Sequence, residues 1–332
     1  MIITRAPLRI SLGGGGTDLP FYCQKRKGFL VSSAIDKYVY VTVAERRMHD
    51  EFRIKYSITE DVKKVEDIKH TRIREALKLL DVDEKVDDKI EITTMADVPA
   101  GTGLGSSSSF MVSLLLALHT FLGDQVSIRT LAEEACHIEQ DVLKEPLGKQ
   151  DQYMAAYGGI NQMSIDTHQR VTISPLDLKQ ENLKNMQQNT LLYYTGSTRH
   201  SGDVLNAQKK NANRDSVYLD YYDEIKALGR EVKKALESGN LHRFGECLNL
   251  HWMLKRRTSR SVSNPDFDRI YDHAIRRGAL GGKIVGAGGG GFFVFYVDGN
   301  KDTFHREMSG LGLRHMPYSF DLDGARVIFC GR

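Results

Sequence analysis

A glycine-rich loop between a predicted strand and a predicted helix constrains this chain more than any other feature. The loop reads Pro99-Ala-Gly-Thr-Gly-Leu-Gly-Ser-Ser-Ser-Ser-Phe110. The residues before it, 89–95, alternate as a strand does, and residues 111–122 after it are nearly continuously apolar, as in a buried helix. Glycine allows positive φ angles and a close approach of the backbone to a ligand. With a serine cap at the helix start, this arrangement predicts an anion site, most often one for phosphate.

The loop does not match the Walker A pattern, which requires a lysine directly after its last glycine. No lysine follows any of the glycines at 101, 103 and 105. Taken alone, the loop is also compatible with a plain glycine-rich turn that a serine caps. The choice between a ligand site and a plain turn depends on the rest of the chain.

Length and composition set the broad class. The chain has 332 residues, 41% hydrophobic and 27% charged, which is ordinary for a globular protein of two domains. A formal net charge of +3 and the lack of a long apolar run argue against nucleic-acid and membrane partners. The four cysteines are scattered, and the N-terminus lacks a signal-peptide layout. We therefore expect a cytoplasmic α/β enzyme with reduced thiols and no zinc site.

Two further glycine clusters lie far from the first, at residues 13–16 and 286–291. The second formally matches G-x-G-x-x-G, but residues 292–297 after it are strand-like, whereas a dinucleotide fingerprint opens a helix. A tight hairpin whose backbone lies close to a ligand suits these residues better. A fold could bring all three clusters around one phosphate-bearing ligand.

The second half of the chain predicts three helices, over residues 218–237, over residues 241–256 and from Pro265 onwards. The basic run at 255–257 is interpreted as a solvated helix end. A polar run over residues 179–189 is the best candidate for a domain boundary. It divides the chain into domains of residues 1–185 and 186–332.

In this order, the three clusters resemble the motifs of the GHMP kinase superfamily. The matching segments are Pro7-Leu-Arg-Ile-Ser-Leu-Gly-Gly-Gly-Gly-Thr-Asp18, the central loop, and Lys283-Ile-Val-Gly-Ala-Gly-Gly-Gly-Gly-Phe-Phe293. Together with Gly148-Lys-Gln-Asp-Gln-Tyr153, they are similar to the D-glycero-D-manno-heptose 7-phosphate kinases, which phosphorylate the anomeric hydroxyl. The resemblance implies an N-terminal α/β domain with a left-handed β-α-β unit and a ferredoxin-like C-terminal domain.

The resemblance also implies an ATP site and a Mg²⁺ site. The implied ATP-binding residues are Gly101, Gly103, Leu104, Gly105, Ser106, Ser107 and Ser108. The implied metal ligands are the Ser107 hydroxyl and the carboxylate of Glu139, which stands twelve residues before Asp151 as in related kinases. Glu145 is the alternative ligand. Without the resemblance, Glu139 would be interpreted as a solvated helix residue.

For catalysis, the resemblance implies Asp151 as general base or hydroxyl orienter. Arg9 would stabilise charge on the migrating phosphoryl group. The implied substrate-binding residues are Gly15, Gly16, Thr17, Asp18, Arg199, Gly288 and Gly289. The Glu-His pair of the galactokinase pattern is replaced by Gly15 and Gly16, which argues against galactose.

A substrate that already carries a phosphate needs a second anion site. The turn after residues 190–195 offers Arg199 and His200, and Lys149 is another candidate. A plain capped turn with solvated charges is the alternative interpretation of these residues. The sequence leaves both open.

Three alternatives to a heptose 7-phosphate kinase stay open. The first is another sugar-1-kinase, such as a fucokinase; the second is a catalytically silent sugar-binding regulator. A NAD-dependent oxidoreductase is the third and is opposed by the strand after Gly291. The expected partner is a small sugar phosphate, with no nucleic acid and no membrane, and a homodimer is left open.

Overall fold

The strands of the chain form two separate sheets. The structure is a computed structural model that describes residues 1–198 and 201–331. Its strands are β1 (Ile2–Gly13), β2 (Gly28–Arg46), β3 (Phe52–Lys55), β4 (Thr59–Val62), β5 (Lys89–Ala96), β6 (Ile160–Ile165), β7 (Val171–Pro175), β8 (Thr190–Tyr194), β9 (Gly281–Ile284), β10 (Phe292–Tyr296), β11 (Arg314–Met316) and β12 (Arg326–Cys330).

The helices pack on the faces of these sheets. They are α1 (Pro20–Arg26), α2 (Thr71–Leu79), α3 (Val82–Lys85), α4 (Ser106–Leu122), α5 (Ile128–Cys136), α6 (Gln150–Tyr157), α7 (Gln180–Asn189), α8 (Ser201–Arg214), α9 (Val217–Ser238), α10 (Leu241–Thr258), α11 (Pro265–Arg276) and α12 (Lys301–Gly310). Short 3₁₀ turns cover Val65–Asp67 and Arg260–Val262, and a π-helical turn covers His137–Val142. None of the helices in the described part of the chain is long and apolar enough to cross a membrane.

The first sheet is built around the long strand β2. Its strand order is β12-β1-β2-β5-β3-β4, and β2 also pairs with β6, which pairs with β7. All pairs are antiparallel except β3 and β5, which are parallel and are joined through α2 and α3. The buried helix α4 packs on β1 and β2. Burying a large aliphatic side chain such as Leu114 there stabilises the fold by about 1.5–3 kcal/mol.

The second sheet has the order β11-β8-β10-β9, entirely antiparallel. Numbered within this half of the chain, the order is fourth, first, third, second. Helices α8 to α11 lie between the first strand and the second, and α12 lies between the third and the fourth. This is the split βαβ arrangement of a ferredoxin-like domain, so the expectation for the C-terminal half is confirmed. The predicted hairpin is also confirmed, because β9 and β10 pair directly across the third glycine cluster.

The end of the chain returns to the first sheet. Strand β12 pairs with β1, and Ile35 forms an isolated bridge with Phe320. Helix α9 also lies against β1 and β2. Elements from the second half of the chain therefore pack on the first sheet. The predicted domain boundary at residues 185/186 falls within helix α7 and stays a prediction.

Candidate active site

The glycine loop ends in the N-terminus of α4. Gly105 is the N-cap residue, with φ 82°, and the serines at 106–108 form the first helical turn. The prediction that a serine caps this helix was wrong, since no side chain caps it. The reason is steric: the chain must enter the helix through a left-handed residue, which glycine adopts without strain. The backbone N–H groups of the first turn still have no intrahelical partners, as an anion site requires.

The third glycine cluster packs directly against this loop. A Cβ atom on Gly286 would lie 2.5 Å from the carbonyl oxygen of Gly103, and one on Gly103 would lie 2.6 Å from that of Val285. A Cβ atom on Gly291 would lie 2.0 Å from the carbonyl oxygen of Thr102. Because the two backbones touch, glycine is required at these positions. The third cluster thus supports the loop from the second sheet.

Arg9 and Asp151 form a bidentate ion pair beside the loop. Arg9 Nε donates to Asp151 Oδ1 at 2.7 Å, and Arg9 Nη2 donates to Oδ2 at 2.6 Å. The third guanidinium nitrogen donates to the carbonyl oxygen of Gly103. A Cβ atom on Gly105 would lie 3.3 Å from both Arg9 Cγ and Asp151 Oδ2. The pair therefore lies at the N-terminus of α4, next to the predicted phosphate position.

Asp18 is the second acidic group of the site. Its side chain is buried, and burial raises the pKa of its carboxyl. The backbone N–H of Gln150 donates to Oδ2 at 3.0 Å, and that of Gly16 donates to Oδ1 at 3.2 Å. A Cβ atom on Gly148 would lie 1.9 Å from Oδ2, so only glycine leaves room for this carboxylate. Two backbone donors from separate segments hold Asp18 at the cavity wall.

All these groups meet in one cavity of about 1210 Å³. The sequence-predicted residues that line it are Arg9, Gly15, Gly16, Asp18, Gly101, Gly103, Gly105, Ser106, Ser107, Asp151 and Gly288. The residues from the same prediction that are buried behind its wall are Thr17, Leu104, Ser108 and Glu139. Gly289 is half-buried and is not among the lining residues. The Thr17 hydroxyl contacts backbone groups: it lies 2.8 Å from the carbonyl oxygen of Gly14 and 2.9 Å from that of Phe29, and it accepts from the N–H of Phe29 at 3.1 Å. Thr17 is placed to hold the first glycine cluster rather than to contact a ligand.

Glu139 lies in the π-helical turn and is completely buried. Burial raises the pKa of its carboxyl. Arg72 Nε donates to Oε1 at 3.0 Å, while the Ser108 hydroxyl, at 2.7 Å, and the Gln152 amide, at 2.5 Å, donate to Oε2. The serine that contacts Glu139 is thus Ser108, whereas Ser107 lies on the cavity side. Arg72 also donates to Glu145 at 2.5 Å.

The donor set near Glu139 fits a magnesium ion that arrives with nucleotide phosphates. Magnesium prefers hard oxygen ligands, commonly one or two carboxylates together with substrate phosphates. Glu145, Ser106 and Ser107 supply such oxygens at the cavity, whereas Glu139 lies behind the wall with both of its oxygens bonded. Arg72 provides the positive charge between the two carboxylates. The described residues hold no group of three or more His, Cys, Asp or Glu side chains suited to a resident metal.

Several residues of the site were not predicted from the sequence. Arg72 lies on an amphipathic helix with an ordinary local pattern. Gln150 lies within the segment 148–153 that resembles the family, but no role was predicted for it. Lys255 was interpreted as part of a solvated helix end, but only 8% of it is exposed, and it lines the cavity. A signal was available, because Lys255 continues the apolar stripe of Leu248 and Trp252 at helical spacing.

Of the residues predicted for a second anion site, the structure describes only Lys149. Arg199 and His200 lie outside the described residues. Lys149 Nζ donates to Glu133 at 2.8 Å and is not in the cavity wall. Its charge is therefore already paired.

Comparison with known families gives a consistent result. The family model described as GHMP kinases N terminal domain matches residues 71–159, and the one described as GHMP kinases C terminal matches residues 232–309. The first match contains the central glycine loop and Asp151, and the second contains the third glycine cluster.

Three relatives define the similarity more narrowly. A D-glycero-alpha-D-manno-heptose 7-phosphate kinase of Campylobacter jejuni is 32% identical over 90% of this chain and 90% of its own length. The crystal structure of a D-glycero-D-manno-heptose 1-phosphate kinase from Bacteroides thetaiotaomicron has a TM-score of 0.83 at 26% identity, with both chains fully covered. An L-fucokinase/L-fucose-1-P guanylyltransferase of Bacteroides fragilis is 28% identical over 87% of this chain but only 34% of its own length.

Proposed function

Because this chain belongs to the GHMP kinase family, we propose that it transfers the γ-phosphoryl group of ATP to the anomeric hydroxyl of D-glycero-D-manno-heptose 7-phosphate. Membership of this family implies that the chain is a phosphotransferase with an alcohol acceptor and with ATP as co-substrate. Its relatives support a sugar phosphate kinase. The heptose, its phosphate at position 7 and the heptose 1,7-bisphosphate product are the proposed part.

One observation supports the proposed phosphoryl transfer most directly: the Arg9–Asp151 ion pair is packed against the N-cap of α4. ATP phosphates at the first turn of α4 would place the γ-phosphorus beside this pair. Asp151 would accept the proton of the anomeric hydroxyl while that oxygen forms its bond to the γ-phosphorus and the bond to the β-phosphate oxygen breaks. Arg9 orients the carboxylate and offers positive charge to the migrating phosphoryl group.

The sugar would lie between Asp151 and Asp18. Both carboxylates line the cavity, and Asp18 is held by the backbone N–H groups of Gly16 and Gln150. A carboxylate in this position accepts hydrogen bonds from ring hydroxyls. Gly15 and Gly16 leave that wall without side chains, which makes room for a seven-carbon sugar.

Aromatic residues form another part of the cavity. Tyr56 and His70 meet edge to face with ring centroids 4.7 Å apart, and His70 contacts Phe110 at 5.3 Å. All three line the cavity near the start of α4. We assign the adenine base to this part, since aromatic faces stack with a planar base.

We expect a coupled ADP-release assay to show turnover with heptose 7-phosphate and at least 10-fold lower kcat/KM with mannose, fucose or galactose. The reason is that binding energy from the acceptor's phosphate contributes to the transition state. Phosphorus NMR of the product should show a new phosphate coupled to the anomeric proton. Preferred turnover of fucose would replace the heptose assignment, and no turnover with any sugar would contradict the kinase assignment.

Glu139 tests the proposed metal site. Magnesium bound to the ATP phosphates would neutralise their charge during transfer. We expect Glu139→Gln to raise the Mg²⁺ concentration for half-maximal turnover by about 10-fold or more, since a neutral amide is a weaker ligand. Titrating Mg²⁺ at saturating ATP measures this. Glu145→Gln is the matched variant, because it removes the other carboxylate that contacts Arg72. A larger effect of Glu145→Gln would make Glu145 the principal ligand.

A further inference from the structure

Three basic side chains lie together in the cavity wall and take no part in the chemistry described above. They are Lys255 and His251 of α10 and Lys283 of β9, with 8%, 2% and 2% of their surfaces exposed. Lys255 Nζ donates to the carbonyl oxygens of Ile284, at 3.0 Å, and Gly286. Lys283 Nζ and His251 Nδ1 are hydrogen-bonded to each other at 3.0 Å. We call these three residues the cationic cluster.

The cationic cluster has hydrogen-bond donors without acceptors. When Lys283 is protonated, as it would be beside an anion, its ammonium group can only donate, so His251 Nδ1 is then the acceptor of their hydrogen bond. A neutral His251 then carries its proton on Nε2, and this buried nitrogen has no partner among the described residues. Each ammonium group has three N–H donors, more than the bonds it makes. Buried donors without acceptors are rare in native structures, and a ligand oxygen would satisfy them.

The charge of the cluster is also uncompensated. Neither Lys255 nor Lys283 forms an ion pair with a carboxylate of residues 1–198 or 201–331. The charges that act on them are like charges: that of Arg9 on both lysines and that of Lys255 on Lys283. Burial lowers the pKa of Lys255 to about 7 and holds the pKa of Lys283 well below its usual range. Burial of an unpaired charge is strongly unfavourable. An anion in the cavity would supply the missing counter-charge.

The position of the cluster indicates which anion this is. The predicted nucleotide site is formed by α4, its loop and the aromatic residues of the first half of the chain. The cluster belongs to α10 and β9 of the second half, which also contribute Thr258 and Ile284 to the cavity. Lys255 binds the carbonyl of Gly286, which packs on Gly103, and the like charge of Arg9 acts on both lysines. The cluster therefore lies near the Arg9–Asp151 pair, beside which the acceptor hydroxyl would lie.

We propose that Lys255, Lys283 and His251 bind the phosphate that the acceptor sugar already carries, so that the second half of the chain selects a phosphorylated sugar. This assignment rests on the proposed function. It differs from the sequence-based candidates Arg199 and Lys149. The competing source of the same chemistry is the γ-phosphate of ATP, and binding measurements distinguish the two.

The test measures equilibrium binding by calorimetry for Lys255→Met, Lys283→Met and the wild type. The three probes are heptose 7-phosphate, unphosphorylated heptose and the non-hydrolysable analogue AMP-PNP. We expect each substitution to weaken heptose 7-phosphate binding about 10- to 100-fold. Binding of the other two probes should change less than about 3-fold. Lys233→Met, which removes a lysine paired with Glu237 on α9, is the matched control and should change none of the three.

The melting temperature provides a second measurement. A structural role of the cluster predicts a lower melting temperature in the lysine variants, whereas a ligand-binding role does not. Replacing an unpaired buried charge by an apolar side chain of similar length removes the desolvation penalty. We therefore expect the melting temperatures of Lys255→Met and Lys283→Met to equal or exceed that of the wild type. Lower melting temperatures with unchanged heptose 7-phosphate affinity would make the cluster structural and overturn the proposal.

Two further outcomes would overturn it. A loss confined to AMP-PNP would assign the cluster to the γ-phosphate, and equal wild-type affinity for phosphorylated and unphosphorylated heptose would remove the phosphate site altogether. If the wild type does not phosphorylate heptose 7-phosphate, the proposed sugar is wrong. The cluster is then tested with inorganic phosphate alone, which should raise the melting temperature of the wild type but not of the lysine variants.

Discussion

Asp151→Asn is expected to lower kcat by about 10²- to 10⁴-fold while ATP still binds. The amide keeps the size of the side chain and can still accept the bond from Arg9 Nε, but it cannot accept a proton from the sugar hydroxyl. Single-turnover measurement of phosphoryl transfer at saturating ATP and sugar reports this step directly. Calorimetry with AMP-PNP should give an affinity within about 3-fold of the wild type, because Asp151 contributes no group to the glycine loop.

The matched control for this prediction is Asp220→Asn. Asp220 also pairs with an arginine, Arg26, at 2.7 Å, but it lies on α9 with 59% of its side chain exposed. Removal of an exposed pair changes stability by about 0–1 kcal/mol and should leave turnover unchanged. If Asp151→Asn kept more than a tenth of wild-type kcat, Asp151 would be an orienting residue and another group would accept the proton.

The second large effect is expected for Gly291→Ala, outside the reacting groups. A Cβ atom there would lie 2.0 Å from the carbonyl oxygen of Thr102, and the residue has φ 91°. Strain at a positive φ and overpacking each cost about 1–3 kcal/mol. We therefore expect the free energy of unfolding to fall by about 2–5 kcal/mol, measured by urea denaturation. Relief of the clash would displace Thr102 and the loop N–H groups, so AMP-PNP binding should also weaken by at least about 10-fold.

Gly299→Ala is the control for this prediction. Gly299 follows the same strand, β10, and a Cβ atom there has no heavy atom within 4 Å. Its unfolding midpoint and AMP-PNP affinity should match those of the wild type. Unchanged AMP-PNP affinity in a destabilised Gly291→Ala protein would show that the third glycine cluster supports the fold without positioning the loop.

Much of the secondary structure followed from local patterns. The helix after Ser127 and the helix after Asn264 begin where their caps predict: the two side chains accept from the N–H groups of Thr130 and Phe267. The hairpin across residues 286–291 followed from glycine between two apolar runs. Capping and turn formation depend on neighbouring residues, so the sequence contains the information they require.

Local sequence patterns predicted only part of the site. The residues Arg9, Asp18 and Asp151 were selected through resemblance to a family, and the structure brings all three to one cavity. The serine cap of α4 was wrong because a serine run does not reveal that the preceding glycine must adopt the left-handed conformation. Lys255 was misplaced because a basic side chain at a helix end is usually solvated, and burial depends on what packs against it.

The sequence by itself determined which segments form strands and helices, where the glycine clusters lie, and to which family the motifs are similar. Each strand, helix and motif depends on residues close to one another along the chain. Packing between distant segments explains why glycine is required at 148, 286 and 291. The tertiary structure alone decided that Glu139 is enclosed by Arg72 and Ser108 and that Thr17 faces away from the cavity. It also decided that Lys255 and Lys283 are buried without a counter-charge from the residues that the structure describes. Those contacts join residues far apart in sequence, and the energy of a charge depends on the solvent and partners that packing leaves around it.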